Sequence, residues 1–346
     1  MRVAVDAMGS DGAPEVEVEG AVQASLEGDT EIVLVGDEAQ LKPKLEAFPK
    51  HGNIRIVHAS EAVAMHESPV NAIRQKKDSS LLVALRLVKE GEADAFVSAG
   101  NTGAVMVGAR TVLGPIRGVA RSAICQALPT RTGKVVVLDL GANVDCSARR
   151  LCEFAEMGIA YSHYALGVEN PRVGLLNIGE EDVKGTQVAK EVHGNLKDSP
   201  HMNFIGNVEP RAMYNGEADV IICDGFIGNL MLKTSEAVAW FMAQLMREKL
   251  ESSSMSKLGA VLARKSLQEL KNTIDPNEIP GAPLLGVNGV VIIIHGSSSP
   301  RGVANGIVGA RVNFENRLIE HIKENIEELR AVERAMTGTA VGNGGQ

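Results

Sequence analysis

Short runs of aliphatic and β-branched residues recur along the chain at 3–6, 31–35, 54–58, 94–98, 134–140, 172–178, 219–223 and 290–294. They are apolar at successive positions, which fits strands covered on both faces rather than strands with one wet side. Between most of them the apolar positions take helical spacing, as at Leu81, Leu82, Leu85 and Val88. Strands alternating with helices predict βαβ units and a doubly wound, mainly parallel, Rossmann-like α/β sheet. No solenoid-period repeat and no long linker breaks the pattern. Residues 1–336 therefore read as one domain, with a Gly-rich flexible tail at 337–346.

One stretch departs from this alternation. Residues 236–271 read as a helix, a Ser-rich break at 252–256 and a second helical stretch, with apolar positions at Val238, Phe241, Met242, Leu245, Met255, Leu258 and Leu262. Between Arg247 and Lys271, six Lys or Arg are opposed by three Glu, a basic surplus inside a chain of formal net charge −8.

Five of the predicted strands end in small, polar, Gly-containing turns. Asp6 leads into AMGSDGAP (7–14), Ser98 into AGNTG (99–103), Leu140 into GANVD (141–145), Cys223 into DGFIGN (224–229) and Ile294 into HGSSSP (295–300). Ligands of open α/β sheets bind beyond the carboxyl ends of the strands. Glycine lets the backbone approach a ligand, and helix N-termini offer unpaired N–H groups to an anion. Any single turn is accounted for by ordinary helix capping; five on one edge point to a phosphate or oxyanion site. A further constellation, NIGEEDVKGT (177–186), is either a solvated turn favoured by the helix dipole or the source of a cation, Lys184, for an anionic substrate.

Composition narrows the chemistry. Aromatic residues make up 3% of the chain and the net charge is negative, which removes the stacking platforms and basic face of a nucleic-acid binder. The four cysteines show no CxxC pair, and three of them, in or beside apolar runs, read as small buried hydrophobes. Met1 leads almost directly into a strand, without a charged leader and apolar stretch, and the run Val290 to Ile294 is far below the ~20 residues of a membrane span. A cytoplasmic enzyme is expected. GxGxxG with its acidic partner, GxxxxGK[ST], HExxH and GxSxG are all missing, so nicotinamide, nucleotide-kinase, zinc-hydrolase and serine-esterase readings lose support.

Taken in order, the turns resemble those of the bacterial phosphate acyltransferases of phospholipid synthesis, the PlsX family. The matching stretches are DAMGSDGAP (6–14), SAGNTGA (98–104), LDLGANVD (138–145), GLLNIGEEDVKGT (174–186), GNVEPR (206–211), CDGFIGNLMLKTSE (223–236) and GAPLLGVNGVVIIIHGSSS (281–299), spanning nearly the whole chain. Ser10, where glycine is expected, and Pro210 are small departures that remove no catalytic group. The resemblance implies transfer of a long-chain acyl group from acyl carrier protein to inorganic phosphate, a homodimer, a fold related to phosphotransacetylases and isopropylmalate dehydrogenases, and peripheral membrane association beside a downstream glycerol-phosphate acyltransferase. No metal and no cofactor is implied. A short-chain phosphotransacetylase using coenzyme A and a non-catalytic membrane-surface scaffold are the rival readings.

Phosphate is itself a nucleophile, so the site needs to orient it, stabilise an oxyanion and protonate a thiolate. Lys184, Asn229 and His295 are the candidate catalytic groups. Asp6, Gly9, Ser10, Ser98, Gly100, Asn101, Thr102, Asn143, Asp224, Gly228, Gly296, Ser297 and Ser298 are the candidate binding groups. Asp6, Asp139 and Asp224 are expected to orient Lys184 or backbone amides. Lys257, Leu258, Leu262, Arg264 and Lys265 of the basic stretch are candidates to contact lipid or the acidic carrier protein, unless that stretch is a surface helix pair at a subunit contact.

Overall fold

The computed structural model describes residues 1–199 and 202–341. The first half of the chain runs β1 (Arg2–Asp6), α1 (Glu15–Leu26), β2 (Glu31–Gly36), α2 (Glu38–Glu46), β3 (Ile54–His58), α3 (Pro69–Gln75), α4 (Ser80–Lys89), β4 (Ala95–Ser98), α5 (Thr102–Val112), β5 (Ala123–Pro129), β6 (Lys134–Leu138) and α6 (Ala148–Ala160). Then come β7 (Val173–Leu176), α7 (Gln187–Lys197), β8 (Phe204–Val208), α8 (Pro210–Asn215), β9 (Val220–Ile222), α9 (Gly225–Glu251), α10 (Ser254–Leu262), α11 (Arg264–Ile274), β10 (Ala282–Leu285), β11 (Val290–Ile293), α12 (Pro300–Glu315) and α13 (Leu318–Val341). Residues 337–341, expected in a flexible tail, continue α13, and 342–346 lie outside the described residues.

All eight expected strands form, and the continuous apolar runs supply both faces of the sheet. Val3, Val5, Ile32, Leu34, Val136 and Leu138 join one core, while Ala4, Val33, Val35, Val135 and Val137 join the other. Each fully buried aliphatic side chain contributes about 1.5–3 kcal/mol, so the sheet is anchored by its two layers of helices.

Three strands had no sequence signal: β5, β8 and β10. They complete an eleven-stranded sheet of order β3-β2-β1-β4-β11-β10-β5-β6-β9-β7-β8. β1, β2, β3, β4 and β11 are parallel, and so are β6, β9, β7 and β8. Between the two sets, β10 runs antiparallel to both β11 and β5, and β5 runs antiparallel to β6. The second set therefore points opposite to the first within the sheet. This corrects the expectation that five turns share one edge: the turns after β1, β4 and β11 form one group, and those after β6 and β9 another.

The 236–271 stretch resolves into three helices. Only Gly225 and Gly228 of α9 are buried, and no residue of α10 or α11 is. They form an arm that leaves the sheet and returns through residues 275–281. Its base is tight: a Cβ on Gly228 would stand 2.0 Å from the backbone oxygen of Asp139. Gly228→Ala is expected to lower stability by about 1–3 kcal/mol, read as a fall in Tm. Gly259→Ala, at an open position in α10, is expected to cause no fall, since Ala improves helix propensity by roughly 1 kcal/mol.

Candidate active site

The first cluster is built around Asp6, at the end of β1 and 2% exposed. Its carboxylate accepts from Ser80 Oγ at 2.6 Å and Ser98 Oγ at 2.8 Å, and Ser98 Oγ accepts in turn from the Gly100 amide at 3.0 Å. Burial pushes the Asp6 carboxyl above its usual range, while these donors oppose the shift. Gly9 and Gly100 come so close that a Cβ on Gly9 would lie 2.9 Å from the Gly100 backbone and 2.7 Å from Asp6 Oδ2. The Asp11 amide donates to the Gly296 carbonyl at 2.9 Å, which ties the third turn to the first.

Several candidate groups in this cluster are already engaged. Asn101 caps α5, its Oδ1 accepting from the Ala104 amide at 3.1 Å, and its Nδ2 donates to the carbonyls of Met65 and Glu67 at 3.0 Å. Ser10 donates its amide to Glu17 Oε1 at 3.2 Å and accepts the Gly12 amide at its Oγ, also at 3.2 Å. The groups still open to a ligand are exposed Thr102 at the start of α5, exposed His295 and Ser297, and half-buried Ser298. The Ser297 amide donates to His295 Nδ1 at 3.2 Å, so a neutral His295 carries its hydrogen on Nε2.

The second cluster is built on Asp139, which has no exposed surface. Its Oδ1 accepts from the amides of Ile124, Gly141 and Ala142 at 3.0, 3.3 and 3.0 Å. Its Oδ2 accepts from the Asn143 amide at 2.6 Å and from Asn143 Nδ2 at 2.8 Å. Asn143 Nδ2 also donates to Ser122 O at 2.8 Å, and Asn143 O accepts from the Gly225 amide at 2.7 Å. Asn143 is thus a brace between three segments. Asp224 caps α9 by accepting from the Ile227 amide at 2.8 Å. Asn229, one turn further, is exposed; its side chain lies against Gly141 and makes no hydrogen bond among the described residues.

Lys184 sits in the loop after β7, beside β9 in the sheet, and so belongs with this second cluster. The loop is held by Asn177 Nδ2 donating to Lys184 O at 3.2 Å and by Asn207 Nδ2 donating to Glu181 O at 2.9 Å. The Lys184 ammonium is half exposed, 3.9 Å from the Glu181 carboxylate. Asp6, Asp139 and Asp224 thus orient backbone amides and hydroxyls, and the ion-pair partner of Lys184 is Glu181.

Two contributors to the first cluster were not singled out from the sequence. Ser80 gave no signal beyond a helix start. Glu17 did give one, a carboxylate within the buried face of α1 shared with Val18, Ala21 and Ala24. It is 1% exposed, its Oε2 has no partner among the described residues, and burial pushes its carboxyl up to about 7.

A family model described as "fatty acid synthesis protein" matches residues 1–321. The chain belongs to that family. Curated relatives named phosphate acyltransferase include one from Citrifermentans bemidjiense, 48% identical over 89% of this chain and 87% of its own length. Another, from Geobacter sulfurreducens, is 46% identical over 98% of this chain and all of its own. Among solved structures, a phosphotransacetylase from Streptococcus pyogenes aligns with TM-score 0.60 at 16% identity, covering 94% of each chain. The EutD phosphotransacetylase from Staphylococcus aureus aligns with TM-score 0.59 at 15% identity, covering 91% of this chain and 94% of its own. At that identity the likeness shows a shared α/β fold. The expected family and fold class both hold.

The buried Glu17 gives this chain a titratable joint. The folded chain binds this proton more tightly than the unfolded one, so the contribution is complete below the ordinary value of 4.5 and is lost as pH rises through about 7. Glu17→Gln keeps an acceptor for the Ser10 amide and has no charge to bury. Its Tm relative to the wild type is expected to rise across that window, by up to about 3 kcal/mol of stability. A difference independent of pH would refute the assignment.

Proposed function

We propose that the protein transfers a long-chain acyl group from the thioester of an acyl carrier protein to inorganic phosphate, releasing an acyl phosphate and the carrier thiol. The observation that carries this reading is the family membership, with relatives named phosphate acyltransferase over most of the chain. The chemistry of the clusters agrees with it: uncharged donors, helix N-termini and one half-exposed lysine, gathered at strand ends.

In this reading Lys184 and the start of α9 hold phosphate, and Asn229 Nδ2 donates to the oxyanion. A phosphate oxygen attacks the thioester carbonyl, the C–O bond forms, and the C–S bond breaks as the tetrahedral intermediate collapses. The departing thiolate takes the Nε2 proton of His295 in its imidazolium form and leaves as the carrier thiol, and the proton shed by the phosphate restores that form; this requires both clusters to act on one thioester. Asn143, Asp139, Asp6 and Asn101 position the turns. One well-aimed oxyanion donor lowers the barrier by about 2.7–4 kcal/mol, and orientation of the phosphate contributes about 7–11 kcal/mol.

The test is incubation with long-chain acyl carrier protein and labelled phosphate. Lys184→Ala is expected to raise the phosphate KM at least about tenfold, matching the loss of a charge-assisted hydrogen bond. His295→Gln is expected to lower kcat and flatten its pH profile. Full activity in Lys184→Ala would remove the phosphate assignment; full activity in His295→Gln would remove the first cluster from the reaction. A parallel run with acyl-coenzyme A identifies the donor.

The arm supports an added role. No helix among the described residues is long and apolar enough to cross a membrane. Leu258, Val261 and Leu262 nevertheless lie exposed on α10, near Lys257, Arg264 and Lys265. This is the pattern of a face that rests in the lipid interface with its cations on anionic headgroups. It would place the product beside a membrane-bound glycerol-phosphate acyltransferase. The exposed Trp240, Phe241 and Met242 of α9 suit the subunit contact of a homodimer. The double variant Leu258→Glu, Leu262→Glu is expected to lose co-sedimentation with anionic liposomes while keeping its phosphate-dependent activity in solution; pelleting equal to wild type would refute the lipid role.

A further inference from the structure

Along α9, Gly225, Gly228, Leu232, Ser235 and Ala239 recur three and four residues apart and so share one face of the helix. The first turn of that face is pressed onto the 139–143 turn by its two glycines. Farther along, the helix stands off the sheet. A cleft of 410 Å³ opens between Leu232–Ala239 and the end of β5 at Leu128 and Pro129, with Ile274 and Ile279 of the returning arm on its far side. That volume falls in the range of about 300–1,000 Å³ typical of small-molecule sites.

Two connections join the cleft to the clusters. Leu232 is three residues from Asn229, about 4.5 Å along the helix axis. Ile279 lies two residues beyond Asn277, whose Oδ1 accepts from the Ser299 amide at 2.8 Å and from Ser299 Oγ at 2.9 Å, at the N-terminus of α12 beside His295 and Ser298. The cleft is thus continuous along the chain with the second cluster through α9 and with the cap of the first through residues 277–279. Its walls suit an uncharged chain. Glu236, the charged group in its lining among the described residues, is paired with Lys233 at 2.8 Å, and the Tyr214 hydroxyl is satisfied by Ser235.

We propose that this cleft holds the acyl chain of the thioester, entering past Asn229 and Leu232, and that Ala239 and Leu128 set the chain length accepted. The proposal rests on the acyl-transfer reading above. From Asn229 to Ala239 the helix advances about 15 Å, a depth that a short acyl group leaves unfilled and a long one occupies. Each methylene taken from water adds binding, so discrimination accumulates with chain length.

The test uses the full chain in lipid-free buffer, with octanoyl- and hexadecanoyl-acyl carrier protein and inorganic phosphate. Ala239→Phe and, separately, Leu128→Phe are expected to lower kcat/KM for the hexadecanoyl donor at least about tenfold, with the octanoyl donor held within about twofold. Equal losses on both donors, or no loss on either, would overturn the proposal. So would an altered subunit number by light scattering with unchanged chain selectivity, which would make the cleft a contact between copies. Absence of acyl phosphate from both donors with wild-type protein would instead sink the acyl-transfer reading, and the chain assignment with it. A measurement without substitution guards against a variant that fails to fold: a hexadecanoyl donor with a photoreactive terminal carbon should label residues within 232–239, 128–129 or 273–279, and labelling confined elsewhere counts against the cleft.

Discussion

Asp139 is a carboxylate without exposed surface, and the geometry of the second cluster follows from how its charge is compensated. Burial raises its pKa, and the amides of Ala142, Ile124 and Asn143 together with the Asn143 side chain oppose that shift, while the Gly141 amide adds a fifth hydrogen bond. Hydrogen bonds to a charged acceptor contribute about 1.5–3 kcal/mol each, so they stay formed only while the 139–143 turn keeps one shape. That shape sets the next element. Gly225 and Gly228 can approach the turn only because neither has a Cβ, and their approach aims α9. The aim of α9 decides where Asn229 stands, where the cleft opens and where the arm leaves the sheet.

The first cluster uses the same device with different partners. Asp6 gathers two hydroxyls, from α4 and β4, so one buried acid joins three elements. Glu17 adds a second acid close by, with one oxygen unmatched. Both clusters rely on buried acids that never need to touch a ligand. Their work is to fix glycine turns tightly enough for backbone amides and a few short polar side chains to face outward together.

The arm obeys a different balance. Its helices bury little, and a nine-residue helix such as α10 is marginal in water by itself, since isolated helices below about 12–15 residues barely hold together. What shapes it is contact between α9, α10 and α11 and the surface it presents, apolar with a basic fringe. Within the single chain that apolar surface stays exposed.

Much of this was written locally in the chain. The continuous apolar runs announce a sheet covered on both sides because both faces of each strand need apolar side chains, and the glycine turns announce close backbone approaches because no other residue permits them. The Ser-rich break and basic surplus of 236–271 announce an arm. Tertiary structure decided the rest. β5 and β10 contain Pro and few β-branched residues, so they carry no strand signal, yet they are the strands at which the sheet reverses and the turns divide into two clusters. Engagement was equally illegible: Asn101, Asn143 and Asn229 are the same residue type in similar turns, and only packing leaves the Asn229 side chain without a hydrogen bond among the described residues. Periodicity and backbone permission are properties of neighbouring residues. Strand direction and hydrogen-bond partnership depend on segments far apart in sequence, and those are settled only when the chain has folded.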